Sequence, residues 1–482
     1  MEIFREMCTT IIVGEKATAD GSFLVARSAD SSSLKAQHFV VHPAVTGQTG
    51  TYSTKAHGGV NDFTYPLPET GMRYTTVPNW KTQLHGAVGF NEAGLGITGT
   101  ESIFASDAVL ALDPYNKETG ITEDDIPEVI LPRCRTAREG AKLLGEIIET
   151  IGAGEGFGVA FVDLTDVWYL ETGSGHQWIA QRVPAECYFA SGNQGRLQGF
   201  DPYSKDMMGS ATLTSWAKEN GFWNPEVDGP FNFSKAYTRD DGRDRVYNDP
   251  RVWVMQKYFN PSIEQAPDDG RNFPVYMEPE KKATLDDIKA MMREHYEGTE
   301  HDPYSNGLNG NEPWRPISVF RTYEAHVMQV RPWLPKAIGE VIYLAMGMAD
   351  LSVFVPFYAG LEEAPAAYGI GTDKADSSSA YWKFRRLQTL AMTDYSKLAP
   401  IVKKAFKAFE DETAKKQAEM EEAYLAEVAK DEASAAKLLN DFNHKVINEA
   451  VALAEDLMNE LFTIRTADIE AAVVFKNNKS KD

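Results

Sequence analysis

Cysteine is scarce in this chain: Cys8, Cys134 and Cys187 are the only three among 482 residues. So sparse and odd a set excludes a disulfide-stapled scaffold and suits a reducing compartment, which makes the cytoplasm the expected location. Long apolar runs are missing as well. No stretch approaches the ~20 uninterrupted apolar residues that a membrane helix requires, so no membrane partner is expected. The opening Met1-Glu2-Ile3-Phe4-Arg5-Glu6-Met7 has neither a basic nor an apolar segment and does not read as a secretory signal. Basic residues are outnumbered, 48 Lys and Arg against 70 Asp and Glu, for a formal net charge of −22. Such a chain repels phosphate backbones, so nucleic acid is not an expected partner. The positively charged end of a small substrate meets no such barrier. With 43% hydrophobic and 24% charged residues the chain is not disordered, and its length is ample for a large core.

Several catalytic signatures are also lacking. There is no GxxxxGK[ST] phosphate cradle, no GxSxG nucleophile elbow and no HExxH zinc motif. Gly94-Leu95-Gly96-Ile97-Thr98-Gly99 spells GxGxxG, but it lies on the return arm of a hairpin rather than opening a helix, so it is not a nucleotide fingerprint. His38 and His42 flank the strand-like Phe39-Val40-Val41. Residues four apart on a strand sit roughly 13 Å apart, too far for one zinc. No metal and no cofactor are expected.

What is present begins as strands. Thr9–Val13 and Phe23–Ala26 flank a turn-rich Gly14–Gly21, a hairpin signal. Gly86–Phe90 and Leu95–Thr98 around Asn91-Glu92-Ala93-Gly94 make a second one. Gly158–Val162, Val167–Glu171, Trp178–Arg182 and Tyr188–Ala190 read as a meander of antiparallel strands. Thr136-Ala137-Arg138-Glu139 caps a helix carrying Leu143, Leu144, Ile147, Ile148 and Ile151, with Gly152 as its stop. Thr284-Leu285-Asp286-Asp287 opens another with Ile288, Met291 and Met292 on one side. Residues 200–280 read as long loops with short helices. After about residue 380 the texture is helical. Lys403–Lys430 is rich in Ala, Glu and Lys. Leu439, Phe442, Val446, Ala450, Leu453, Leu457 and Leu461 form an apolar stripe suited to packing or to assembly as a homo-oligomer. The expected organisation is an upstream extension or propeptide over 1–7, a catalytic domain over 8–380 and a helical portion over 381–482 packed on it.

Cys8 carries the chemistry. In a simple hairpin, a turn centred on Ala17–Thr18 sets Cys8 opposite Arg27, and one centred on Asp20 sets it opposite Ser32. Either way Arg27-Ser28-Ala29-Asp30 lies beside it. A neighbouring cation favours thiolate, and a carboxylate there can hold an ammonium or the guanidinium. A chain starting at Cys8 also carries its own base, an α-amino group with a pKa of about 7.7–8.0, so nucleophile and base share one residue.

Cys8-Thr9-Thr10-Ile11-Ile12-Val13-Gly14, Ala19-Asp20-Gly21-Ser22 and Ala26-Arg27-Ser28-Ala29-Asp30 resemble the N-terminal signature of the cysteine dipeptidases. These belong to the N-terminal-nucleophile (Ntn) hydrolase superfamily, with penicillin V acylase and bile salt hydrolase as relatives. The resemblance continues through Gly89–Leu95, Ser191-Gly192-Asn193-Gln194, Val319-Phe320-Arg321-Thr322 and Val330–Pro335. It implies an α+β fold, the Ntn αββα sandwich of two antiparallel sheets between helical layers. It also implies metal-free hydrolysis of dipeptides through an acyl-enzyme. By the same resemblance Cys8 is the nucleophile, with Arg27 and Asp30 flanking it. Asn193 donates a side-chain N–H to the oxyanion, Glu101 a backbone N–H, and Arg321 corresponds to a later active-site arginine. Met1–Glu6 depart from the pattern by preceding the expected start. Two other readings remain at this stage: an Ntn amidase acting on non-peptide amides, and a non-catalytic helical interaction protein.

Overall fold

A computed structural model describes residues 8–304 and 314–473. β1 (Thr9–Val13) and β2 (Phe23–Asp30) form the first expected hairpin. β3 (Val88–Phe90) and β4 (Gly96–Ser102) form the second, turned at Gly94, whose φ of +98° suits glycine. A Cβ at Gly94 would also lie 2.6 Å from Glu340 Oε1. β5 (Phe157–Val162), β6 (Val167–Thr172), β7 (Trp178–Arg182) and β8 (Tyr188–Ser191) come next. β9 (Met207–Gly209), β10 (Tyr276–Met277), β11 (Thr322–Val330), β12 (Glu340–Met346) and β13 (Val355–Tyr358) complete the two large sheets. One runs β10-β8-β1-β2-β11-β12-β13 and the other β9-β7-β6-β5-β4-β3. All neighbours within both sheets are antiparallel.

The expected meander therefore breaks after three strands. β8 leaves its predecessors and pairs with β1 in the other sheet. The Pro184–Cys187 crossover is fastened to the β1–β2 turn, where Gly14 N–H donates to Cys187 O at 2.9 Å and Lys16 N–H to Ala185 O at 2.9 Å.

Strand alternation sorts the apolar side chains into three cores. Ile12, Val25 and Met328 face Val162, Val167, Tyr169 and Ile179 across the gap between the sheets. Ile11, Val13, Leu24 and Ala26 point the other way. They meet Val252, Met255 and Phe259 of α2 (Asp249–Phe259) and Ile288, Met291 and Met292 of α3 (Leu285–Arg293). On the far side Phe157, Val159, Phe161 and Leu170 meet Leu144, Ile147 and Ile148 of α1 (Ala137–Thr150). The result is the helix–sheet–sheet–helix sandwich that the resemblance implied. Each fully buried Leu, Ile, Val, Phe or Met contributes about 1.5–3 kcal/mol. α1 starts where expected: Thr136 Oγ1 accepts from Glu139 N–H, and Gly152, at φ +104°, follows its end. α3 carries a reciprocal capping box between Thr284 and Asp287.

α4 (Ala380–Ala391), α5 (Tyr395–Val428) and α6 (Glu432–Val473) form the C-terminal region. Tyr381, Phe384, Leu387, Val402, Phe406, Val446, Ala450, Leu457 and Leu461 belong to the same continuous core as the inter-sheet residues. α6 also covers the edge strand β13. Asn443 Nδ2 donates to Pro356 O at 2.6 Å, and its Oδ1 accepts from Tyr358 N–H at 3.1 Å. Among the described residues no helix is long and apolar enough to cross a membrane.

Candidate active site

Cys8 precedes β1 and is 4% exposed. Thr9 pairs with Ser28 and Thr10 with Arg27, so the next pair outward is Cys8 with Ala29. This lies between the two registers that turn arithmetic allowed. The turn is tightened by Thr18 Oγ1 donating to Ser22 O at 2.7 Å and by Asp20 Oδ1 accepting from Ser22 N–H at 3.0 Å. Residues two apart on a strand share a face. Cys8, Arg27 and Ala29 therefore face the inter-sheet space, while Ser28 and Asp30 face the other way.

Arg27 Nη1 donates to Cys8 Sγ at 3.3 Å, and Arg27 is 1% exposed. Burial opposes its charge, but Cys8, Tyr323, Glu324 and Glu123 outweigh burial and hold the guanidinium above its ordinary range. A fixed cation against the sulfur favours thiolate. Glu324 is held in turn by His326 Nδ1 at 2.9 Å, and His326 Nε2 reaches Thr98 Oγ1 of the opposite sheet at 2.9 Å. Tyr323 OH meets His85 Nε2 at 2.7 Å.

Asp30 is committed on its own face. It accepts from Arg315 Nη2, from Thr322 Oγ1 at 2.5 Å and from Ser28 Oγ at 3.3 Å. Arg315 Nη1 also lies 3.4 Å from Thr9 Oγ1, which ties this pair to the start of β1.

Asn193 arrives from the other side. β8 pairs with β1 through Thr10 and Ser191, and two residues further out the same register brings Asn193 level with Cys8. Arg251 of α2 fixes the asparagine. Its Nη1 donates to Cys8 O at 2.5 Å and to Thr9 Oγ1 at 2.7 Å, and its Nη2 to Asn193 Oδ1 at 2.8 Å and Asn248 Oδ1 at 2.5 Å. Burial and the charge of Arg315 push the Arg251 guanidinium down to about 9, still cationic at neutral pH. With Asn193 Oδ1 taken, the amide nitrogen is the free-facing end, and one of its N–H groups donates to Ser102 O at 3.2 Å. Glu101 is the residue before Ser102. Its backbone pairs with Gly158 just past a register shift that begins at Thr98.

Arg321 lies on the Asp30 side, where its backbone O accepts from Ser31 N–H at 3.3 Å. Its Nη2 donates to Tyr247 OH at 2.6 Å. Burial alone would raise the Tyr247 phenol, but the charges of Arg315, Arg321 and Arg251 hold it below its ordinary range.

The structure thus brings Cys8, Arg27, Asn193 and the Glu101 backbone to one end of the sandwich, with Asp30 and Arg321 on the reverse of β2. Sequence reading missed Arg251, Arg315, Tyr247 and Asn248. Arg251 lies 243 residues from Cys8 on a helix that buries Asp249, Arg251 and Gln256 along with its apolar residues. That helix has no clean apolar stripe, and no spacing signals it. Met1–Met7 lie outside the described residues. Among the described residues no three His, Cys, Asp or Glu side chains gather as metal ligands.

Comparison with known proteins gives the class first: this is a hydrolase, of the peptidase type. The chain belongs to peptidase family C69, whose family model matches residues 7–408. A probable dipeptidase of Salmonella dublin is 52% identical over 370 residues, covering 76% of this chain and 83% of its own. A probable dipeptidase of Latilactobacillus sakei is 32% identical over 479 residues, 98% of each chain. Among solved structures, penicillin V acylase from Agrobacterium tumefaciens aligns at a TM-score of 0.31 and 16% identity, over 70% of this chain and 86% of that one, a likeness too slight to carry an argument.

Proposed function

We propose that this protein is a cysteine dipeptidase whose active form begins at Cys8. The observation that carries the reading is the Cys8 sulfur under Arg27 Nη1 at 3.3 Å, with Asn193 held level with it by Arg251. Family membership and the two dipeptidase relatives support the substrate class.

The Cys8 thiolate attacks the carbonyl carbon of the dipeptide. The carbonyl π electrons move to oxygen, which receives the second N–H of Asn193 and the backbone N–H of Glu101. Each such donor is typically worth about 10²–10³ in kcat. The C–N bond then breaks, and the leaving amine takes its proton from the Cys8 α-ammonium. The neutral α-amine next removes a proton from water, which attacks the thioester and frees Cys8. Asp30, held by Arg315, and Arg321 with Tyr247 lie on the reverse of β2 and support the start of β1 from behind. The sparse cysteines, all three of them free, suit the reducing cytoplasm.

The test compares a free dipeptide, its N-acetyl form, its amide and a pentapeptide, each with EDTA and with iodoacetamide. Intact mass is measured on the same preparation. Hydrolysis of the free dipeptide alone, unaffected by EDTA and abolished by iodoacetamide, with a mass starting at Cys8, is the expected result. Full activity in a protein that retains Met1–Met7 overturns the amine as base. Loss of activity in EDTA but not in iodoacetamide overturns the nucleophile.

A further inference from the structure

A second cavity, of about 290 Å³, shares no wall with the Cys8 site. It lies among three short structures: the strand pair Val40–His42 with Tyr74–Thr76, the pair Thr51–Ser53 with Thr64–Pro66, and the helix Ile126–Ile130. Leu67 and Met72 give it an apolar side, and two ring pairs give it aromatic walls. His42 stacks on Tyr74 with centroids 4.2 Å apart and planes 4° from parallel, and Tyr52 stacks on His57 at 5.7 Å.

One carboxylate lines this cavity, that of Glu128. Its Oε2 accepts from Tyr74 OH at 2.5 Å, while its Oε1 is shielded from water and accepts no hydrogen bond. Among the described residues no lysine, arginine or histidine forms an ion pair with it. Arg133, three residues past Ile130, gives its guanidinium to the carbonyls of Val129 and Pro66. Burial, with some repulsion from Asp125, pushes the Glu128 carboxyl up to about 7 against the pull of the Tyr74 bond. Burial and the neighbouring His57 push His42 down to about 4, so its ring is neutral at neutral pH.

Glu128 is half-buried without a counter-charge, and a cation brought against its carboxylate supplies one. Tyrosine faces attract the same kind of charge. No lysine or arginine lines the cavity.

We propose that this cavity is a second binding site, which takes a primary ammonium group carried on an apolar or aromatic body. The amine lies against Glu128, and the body fills the space between the Tyr52 and Tyr74 rings and Leu67. An anion is excluded by Glu128 itself. The site does not depend on Cys8 or on the hydrolytic reading.

The experiment titrates the full-length protein with three probes of one shape, followed by calorimetry: phenethylamine, 2-phenylethanol and phenylacetate. The expected result is binding of phenethylamine at least about tenfold tighter than the alcohol, the scale of a charge-assisted contact, with no binding of phenylacetate. Glu128→Gln keeps an acceptor for Tyr74 and is expected to erase the preference for the amine. Leu67→Trp fills the cavity from its rim and is expected to abolish binding of both. Protein carrying Cys8→Ala is expected to bind phenethylamine as the parent does. Equal affinity for amine and alcohol, or undiminished amine binding by Leu67→Trp, overturns the proposal. Loss of amine binding in Cys8→Ala also overturns it, since the amine then sits at the other site.

Discussion

A single guanidinium, that of Arg251, serves five acceptors: the Cys8 and Tyr247 carbonyls, the Thr9 hydroxyl and the side-chain oxygens of Asn193 and Asn248. It orients the Asn193 amide as well as the Cys8 backbone, so loss of Arg251 or of Asn193 is expected to show the same transition-state signature. Asn193→Ala removes one donor and is expected to lower kcat and kcat/KM together, by about 10²–10³. A rise in KM alone would remove the oxyanion assignment. Arg251→Lys keeps the charge but not the planar fork, so it is expected to lose comparable activity with an unchanged KM for the free dipeptide. At this scale hairpin arithmetic set Arg27 beside Cys8, whereas Asn193 came only through the family resemblance, because the strand before it pairs with β1 rather than with its neighbours in the chain. Arg251 and Arg315 come from distant segments whose only signature is three-dimensional. Another buried group gives a pH-dependent signal. Burial lifts the Glu340 carboxyl from its ordinary value near 4.5 to about 8, against the opposing charge of Lys336. A raised folded-state value means that the folded protein holds a proton the unfolded chain gives up. The stability this group contributes is therefore full below about 4.5, declines as pH rises, and is gone above about 8. Glu340→Gln is expected to stay level across that window. Its thermal stability should overtake the parent's by an amount on the order of a few kcal/mol by pH 8, as read by melting curves at pH 5 and pH 8.5.

Among the elements, α6 shows how far a stripe can be trusted. Leu439, Val446, Ala450, Leu457 and Leu461 are buried as the spacing predicted, while Phe442 and Leu453 are only half-buried. The seam instead takes in Asn443, Ile447 and Ala454, which a hydrophobic count could not choose between. Asn443 is there because β13 is an edge, and its amide supplies the donor and acceptor that a further strand would have offered. Asn443→Leu leaves the Tyr358 N–H and the Pro356 carbonyl without partners, for an expected loss of about 2–3 kcal/mol, measured by urea unfolding with activity unchanged. The strands β1, β2 and β5 were legible as apolar runs, but each is buried along its whole length, so the layering came from the resemblance and not from alternation. The move of β8 to the other sheet was not legible, because nothing in the local pattern of Tyr188–Ala190 says which edge it will join.

For the molecule as a whole, we propose that residues 8–380 form the catalytic unit and that the helices after 380 pack on it. The family match ends at residue 408, inside α5. Those helices complete the continuous core that lies between the sheets, so they are no detachable tail. A chain ending at residue 430 would uncover Tyr358, Leu361 and the rest of the surface that α6 shelters. It is expected to be recovered as aggregate or as an expanded state without cooperative melting, checked by size-exclusion chromatography and calorimetry. The short link between β1 and β2 has a consequence of another kind. Pairing Thr9 with Ser28 assigns each residue of the first strand to one side of its sheet by odd or even number. The sulfur reaches Arg27 because both fall on the inner side of that count. Losing one residue from Gly14–Ser22 and sliding the pairing by one would turn the sulfur and the guanidinium to opposite sides, whereas losing two would restore the match. In this protein the length of a surface loop acts as a parity bit for the chemistry at the far end of the strands.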